Sequence, residues 1–181
     1  MKKIVIFLAS LVLLTGCGNN KMLNTPTKRV EMFFESYQSL DKNVIDQLND
    51  VANNEISFTD SQRESYVDLM KKHYQALKYE IKDEVIDGDT ATVTVEITVM
   101  DYSNILKEAN EYLENNKQEF NDENGKYDET SFNEYRLNKL KEADKTVTYT
   151  IDMTLTKIDG EWILDDVSND VNDKIQGIYE H

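Results

Sequence analysis

Cys17 is the only thiol in the sequence, and His73 is its only histidine away from the C-terminal His181. No Ser/His/Asp or Cys/His arrangement for nucleophilic catalysis is recognisable around them. A zinc site would need a second histidine or cysteine nearby, and none exists. His73 shares an apolar stripe with Tyr66, Leu69, Met70 and Leu77. On that stripe it is either a base lining a pocket or a core-edge histidine hydrogen-bonded to a neighbour. A tyrosine such as Tyr79 or Tyr149 is the alternative polar group for a pocket around a small apolar molecule.

Metal chemistry has two candidate stretches. In FNDENGKYDETS (120–131), Asp122, Asn124 and Gly125 imitate positions three, five and six of an EF-hand loop. Positions one and twelve would be Phe120 and Ser131, which removes the first ligand and the bidentate one. A polar turn, followed by a helix capped by Ser131 with Glu134, accounts for the same letters. Asp165, Asp166, Asp170 and Asp173 could hold a divalent ion loosely or form a solvated acidic end. No metal and no cofactor is assigned.

The N-terminus accounts for Cys17. Lys2 and Lys3 precede an apolar run, IVIFLASLVLL (4–14), of signal-peptide length and too short for a comfortable membrane span. Leu14-Thr15-Gly16-Cys17 then matches the bacterial lipobox, in which the cysteine is lipidated on its thiol and becomes the first mature residue. This reading divides the chain into a signal peptide (1–16), a lipidated Cys17 with a short tether (17–24) and one folded domain (25–181). The expected partners are the lipid bilayer, through acylated Cys17, and a membrane-adjacent protein. The expected location is the outer face of the bacterial cytoplasmic membrane. At ~3.3–3.6 Å per residue, the tether keeps the domain within roughly one small-protein diameter of the bilayer.

The bulk composition suits a soluble globular body rather than a disordered or multi-span protein. The chain has 181 residues, 39% hydrophobic and 30% charged, which suits one domain with a real core. Its 35 Asp+Glu against 20 Lys+Arg disfavour nucleic acid, whose phosphates would be repelled. Cleavage after Gly16 removes two lysines and no acid, so the mature domain is more acidic still and stands off anionic lipid. One proline and six glycines leave little room for loops.

The elements that must position these residues are legible in the periodicity. Thr25-Pro26 reads as an N-cap and first helical position, with Val30, Phe33, Phe34 and Tyr37 on one face. Asp41 caps a second short helix carrying Val44, Ile45, Leu48 and Val51, and Glu55 to Phe58 reads as a brief extended piece. Thr59 with Gln62, or Ser61 with Glu64, offers a capping box for the helix that carries His73. The period then becomes two: Tyr79–Ile86, an Asp87-Gly88 turn and the alternation Ala91 to Val99 make one hairpin. Val147 to Leu155, Asp159-Gly160 and Glu161 to Leu164 make another. Between the hairpins, Ile105, Leu106, Ala109, Tyr112 and Leu113 mark one helix, and Phe132, Tyr135, Arg136, Leu140 and Ala143 a second. A polar linker, 121–129, joins them. Val171, Ile175 and Ile178 point to a last short helix within 170–179. The fold class is therefore α+β: N-terminal helices on a curved antiparallel sheet, with a helical hairpin inserted at about 103–144.

Thr25-Pro26 with Val30, Phe33 and Phe34, then DGDTATVTVEI (87–97), then TLTKIDGEWIL (154–164), resemble the nuclear-transport-factor-2-like (cystatin-like) fold. More narrowly, the chain is similar to small Gram-positive lipoproteins of that superfamily, a group of unknown function. The resemblance covers about 25–102 and 145–168. The stretch from about 103 to 144 departs from it by its length. It implies a cone-shaped domain able to enclose a pocket, in a superfamily of isomerases, cyclases and many non-catalytic members. Ketosteroid-isomerase-like relatives use a buried carboxylate and a tyrosine, and no motif here assigns those roles. The expectation is a lipid-anchored, non-catalytic binding or interaction module. The alternative is a pocket that binds or acts on a small apolar molecule.

Overall fold

Helix α1 (Pro26–Gln38) starts where Thr25 and Pro26 place it, the threonine side chain accepting the Lys28 N–H at 3.1 Å. This and the following contacts come from a computed structural model that describes residues 24–180. The apolar run 4–14, Cys17 and residues 17–23 of the tether lie outside the described residues. Asp41 caps α2 (Lys42–Asn54), which is as long as α1 and not the short helix expected. Thr59 and Gln62 form the reciprocal capping box of α3 (Asp60–Ala76). The piece between α2 and α3 is a turn rather than extended. The Glu55 carboxylate accepts both the backbone N–H and the hydroxyl of Ser57, folding the segment back and leaving Ile56 92% exposed.

Four antiparallel strands follow in the spatial order of the chain: β1 (Lys78–Asp87), β2 (Thr90–Met100), β3 (Thr146–Ile158) and β4 (Glu161–Leu164). Alternation gives the sheet one dry face. Ala91, Val93, Val95, Ile97 and Val99 of β2 and Tyr149, Ile151, Met153 and Leu155 of β3 are all buried on it. The opposite face is mostly threonine, including Thr92, Thr94, Thr148, Thr150 and Thr154. Helix α1 lies on the dry side, with Phe34 stacked on Tyr79 at 5.0 Å. Both Asp-Gly turns form as the sequence predicts, Gly88 and Gly160 taking φ of 62° and 85°.

One irregularity in β1 changes what its residues face. The register slips between Ile81 and Asp83, leaving Lys82 as the extra residue of a β-bulge. Before it, Tyr79 and Ile81 pair with Ile97 and Val95 on the dry face. After it, Glu84 and Ile86 take that side, opposite Val93 and Ala91. This end of the strand is exposed, and Glu84 reaches from it to the start of α1, accepting from the Thr27 N–H at 2.9 Å and the Thr27 hydroxyl at 2.6 Å.

Between β2 and β3 the chain forms α4 (Tyr102–Asn115), a 3-10 turn (Lys117–Phe120) and α5 (Glu129–Lys141). The α5 cap is Asp128, whose side chain accepts the Thr130 N–H; the expected cap, Ser131, lies inside the helix. Asp128 reaches the end first because Phe120 and Asp128 are already bonded through their backbones at 2.7 Å, fixing where the helix begins. The last helix, α6 (Asn169–Ile175), ends at Gly177, with φ of 70°. The Gly177 carbonyl accepts the N–H groups of both Tyr102 and Ser103, so the C-terminal segment holds the start of α4. Among the described residues, no helix is long and apolar enough to cross a membrane.

Candidate functional site

Three places in the fold gather functional groups: the surroundings of His73, the α4–α5 lobe, and the corner where the chain enters α1. His73 is in the last turn of α3 and 2% exposed. Its Nε2–H donates to the Ile175 carbonyl at 2.8 Å, and its ring lies 4.9 Å from that of Tyr102. Burial pulls the imidazole down to about pKa 4, against a smaller upward pull from the bond to Ile175, so it is neutral at physiological pH. A neutral imidazole whose only N–H is committed to a backbone carbonyl is a bracket between α3 and the C-terminal segment. Its Nδ1 is buried without a hydrogen-bond partner, as are both side-chain polar atoms of Gln176, the residue after Ile175.

The structure does not bring Tyr79 and Tyr149 together. Tyr79 pairs with Ile97, which pairs in turn with Tyr149, so the tyrosines flank Ile97 on one row, roughly 10 Å apart. Tyr79 packs on Phe34, and its hydroxyl is raised by burial and by Glu35 and Glu31. Tyr149 meets the ring of Tyr179 edge-on at 5.9 Å, and its hydroxyl is raised by burial and by Asp101. None of these groups is tuned toward acidity. An open groove between α2 and α3 is lined by polar side chains such as Asn49, Asn53 and Asp68, and none of His73, Tyr79 and Tyr149 lines it. Arg63, on the same groove, closes the end of α2 by donating to the carbonyls of Ala52 and Glu55.

The EF-hand-like stretch is a turn built on Asp122, whose carboxylate accepts the N–H groups of Asn124 and Lys126 at 2.9 and 2.8 Å. Among the described residues, no three His, Cys, Asp or Glu side chains converge in a way that could hold a metal ion. Asp173 has its carboxyl raised by partial burial and by Asp170.

The α4–α5 lobe has a small core of its own, Ala109, Phe120 and Phe132, with Leu113 and Tyr135 against it. Phe120 meets Phe132 edge-on at 5.2 Å, and Tyr112 stacks on Tyr135 at 5.0 Å. Arg136 lies over Phe132, its guanidinium desolvated by burial. A polar clasp joins the lobe to the α2–α3 turn: Gln62 donates to the Thr130 carbonyl at 2.8 Å, and Asn133 donates to Ser57. Tyr112, Tyr127 and Ile56 remain exposed around this junction. Tyrosine is among the residue types enriched where protein surfaces bind partners. Sequence reasoning overlooked Ile56 and Tyr127; the one available signal was a lone aromatic in a polar linker.

At the third place, the Trp162 N–H donates to the Asn24 side-chain oxygen at 2.7 Å, and the Asn24 amide donates to Glu161. Arg29 pairs with the same Glu161 carboxylate at 3.3 Å.

No family model and no curated protein matches the chain. Among solved structures, the fold is similar to that of YcdA from Bacillus subtilis, described as a lipoprotein, with a TM-score of 0.52 and 15% identity. The likeness covers 88% of this chain and 57% of that one, so this chain spans little more than half the length of YcdA. At that identity the similarity is one of fold.

Proposed function

We propose that this chain is a membrane-anchored extracytoplasmic lipoprotein whose folded domain is a non-catalytic binding or interaction module. Residues 1–16 are removed as a signal peptide, and Cys17 is acylated, palmitate being one of the chains it would carry. Residues 17–24 tether the domain to the outer face of a Gram-positive cytoplasmic membrane. The domain, 25–181, is a nuclear-transport-factor-2-like cone with a helical hairpin inserted at about 103–144. The anchoring rests on Leu14-Thr15-Gly16-Cys17 behind the apolar run 4–14. The fold likeness to YcdA, described as a lipoprotein, supports it.

The observation that carries the interaction reading over catalysis is the state of His73. The one internal histidine is neutral, 2% exposed and bonded through its N–H to a backbone carbonyl. The exposed Tyr112, Tyr127 and Ile56 supply the surface such a module needs. Crosslinking in the native membrane tests this: a protein partner should be recovered reproducibly, and its crosslinks should map to α4, α5 or the α2–α3 turn. Recovery of no partner would contradict it.

One observation favours a second reading, a pocket that binds or acts on a small apolar molecule in the manner of an isomerase or cyclase. The Gln176 carboxamide is 1% exposed with neither polar atom bonded, and the Nδ1 of His73, whose Nε2 bonds the preceding residue, is in the same condition. Buried polar groups of this kind are rare without a water or ligand. A small molecule retained by the purified protein in native mass spectrometry, and lost in Gln176→Leu, would favour this reading.

A further inference from the structure

The attachment proposed at Cys17 has a geometric consequence, because the point where the chain enters the folded domain is pinned. Asn24 bonds both Trp162 and Glu161; Arg29 holds Glu161; Thr27 bonds Glu84. All three contacts lie at one end of the sheet. Glu161 pairs with Ile158 across the Asp159-Gly160 turn. The Lys157 N–H donates to the Asp89 carbonyl at 2.7 Å, tying that turn to the Asp87-Gly88 turn beside it. The α4–α5 lobe leaves and rejoins the sheet at the other end, where Met100 pairs with Thr146. Between the two ends runs β2, 11 residues long, or roughly 35 Å at a strand's rise.

We infer that the bilayer lies beneath the two Asp-Gly turns and that the α4–α5 lobe is carried on the side facing away from it. This rests on lipid attachment at Cys17. Fully extended, the stretch 17–24 reaches at most about 25 Å. With the lobe against the membrane, Asn24 would stand a full sheet length above the headgroups, beyond that reach. The occupant of the turn end is therefore a lipid surface. Its chemistry sets a stand-off rather than insertion: Val85, Ile86 and Ile158 are half-exposed there, but Asp87, Asp89 and Asp159 surround them and are repelled by anionic lipid. The lobe surface around Tyr127 then faces outward, toward whatever approaches the membrane.

The test uses the full acylated protein in vesicles of phosphatidylglycerol and phosphatidylethanolamine containing a small fraction of nickel-chelating lipid. Acylation consumes the Cys17 thiol, so any introduced cysteine is the sole site for a nitroxide. Labels go at Asp89→Cys and Ile158→Cys on the turn end, and at Glu123→Cys and Tyr127→Cys on the lobe. The lipid-borne nickel should enhance spin relaxation at least fivefold more at 89 and 158 than at 123 and 127. Equal enhancement at both ends, or stronger enhancement on the lobe, overturns the inference while leaving the acylation standing. Mass spectrometry of the same sample separates the two: absence of acyl mass on Cys17 removes the attachment itself, and the inference with it.

Discussion

Asn24 and Trp162, far apart in sequence, are joined by a 2.7 Å hydrogen bond from the Trp162 backbone N–H to the Asn24 side-chain oxygen. The bond couples the entry of α1 to the last strand of the sheet. It also sets Asn24, the first described residue, beside a turn at the end of the sheet opposite Met100 and Thr146. Asn24→Ala removes this acceptor and the donor to Glu161 together. Both contacts are partly solvated, so the expected loss is about 1 kcal/mol, read as a lower urea midpoint with an unchanged slope.

Glu84→Ala should cost about 1–1.5 kcal/mol, because it strips the Thr27 N–H and hydroxyl of their acceptor and removes a carboxylate from a helix N-terminus. Deleting Lys82 is the complementary test. Removing the extra residue lets β1 pair with β2 without a register shift and leaves Glu84 opposite Val93 on the same face. The deletion should therefore destabilise the domain less than Glu84→Ala. A larger loss than that of Glu84→Ala would show that the bulge itself is needed to aim Glu84.

His73 gives a pH dependence with a defined sign. Its folded-state pKa is lowered from 6.5 to about 4, mainly by burial, so the unfolded chain takes up a proton that the folded one refuses. The stability tied to neutral His73 is complete above pH 6.5, falls as the pH drops toward about 4, and levels off below. The total is roughly 3 kcal/mol at 1.36 kcal/mol per pH unit. His73→Gln keeps a donor for the Ile175 carbonyl and cannot titrate. The difference in stability between the two proteins should therefore slope between pH 6.5 and 4 and be flat above, by denaturation at fixed pH. A flat difference throughout contradicts the assignment.

Gly177→Ala should be the most damaging of these single substitutions. A Cβ there would sit 2.0 Å from the Met100 carbonyl oxygen, on a backbone with φ of 70° that a side chain disfavours. The obstacle is backbone, so no rotamer change relieves it. A loss of at least about 3 kcal/mol is expected, together with weakened protection from hydrogen exchange at the Tyr102 and Ser103 amides that Gly177 accepts. Wild-type protection at those two amides would contradict the clamp.

The parts of this fold that depend on neighbours in sequence were legible without coordinates. Thr25-Pro26, Asp41 and Thr59 with Gln62 act through bonds three residues away, and the Asp-Gly turns need only a local backbone shape. What depends on distant partners was hidden. The bulge at Lys82 exists only relative to β2, so simple alternation from Tyr79 misassigns the faces of Glu84, Val85 and Ile86. Ser131 was an acceptable cap until the Phe120–Asp128 bond fixed the start of α5. The pairing of His73 with Ile175 likewise spans most of the domain, so its apolar stripe alone left both a pocket base and a core bracket open.

The central claim is that Cys17 anchors this domain to a membrane. Mass measurement of the N-terminal peptide, taken from the membrane fraction of cells producing the full chain, tests it most directly. The account predicts that the mature protein begins at Cys17 with acyl chains attached, and that Cys17→Ser accumulates uncleaved and carries no acyl chain. An unmodified Cys17, or a Cys17→Ser protein processed normally and still held at the membrane, would contradict it.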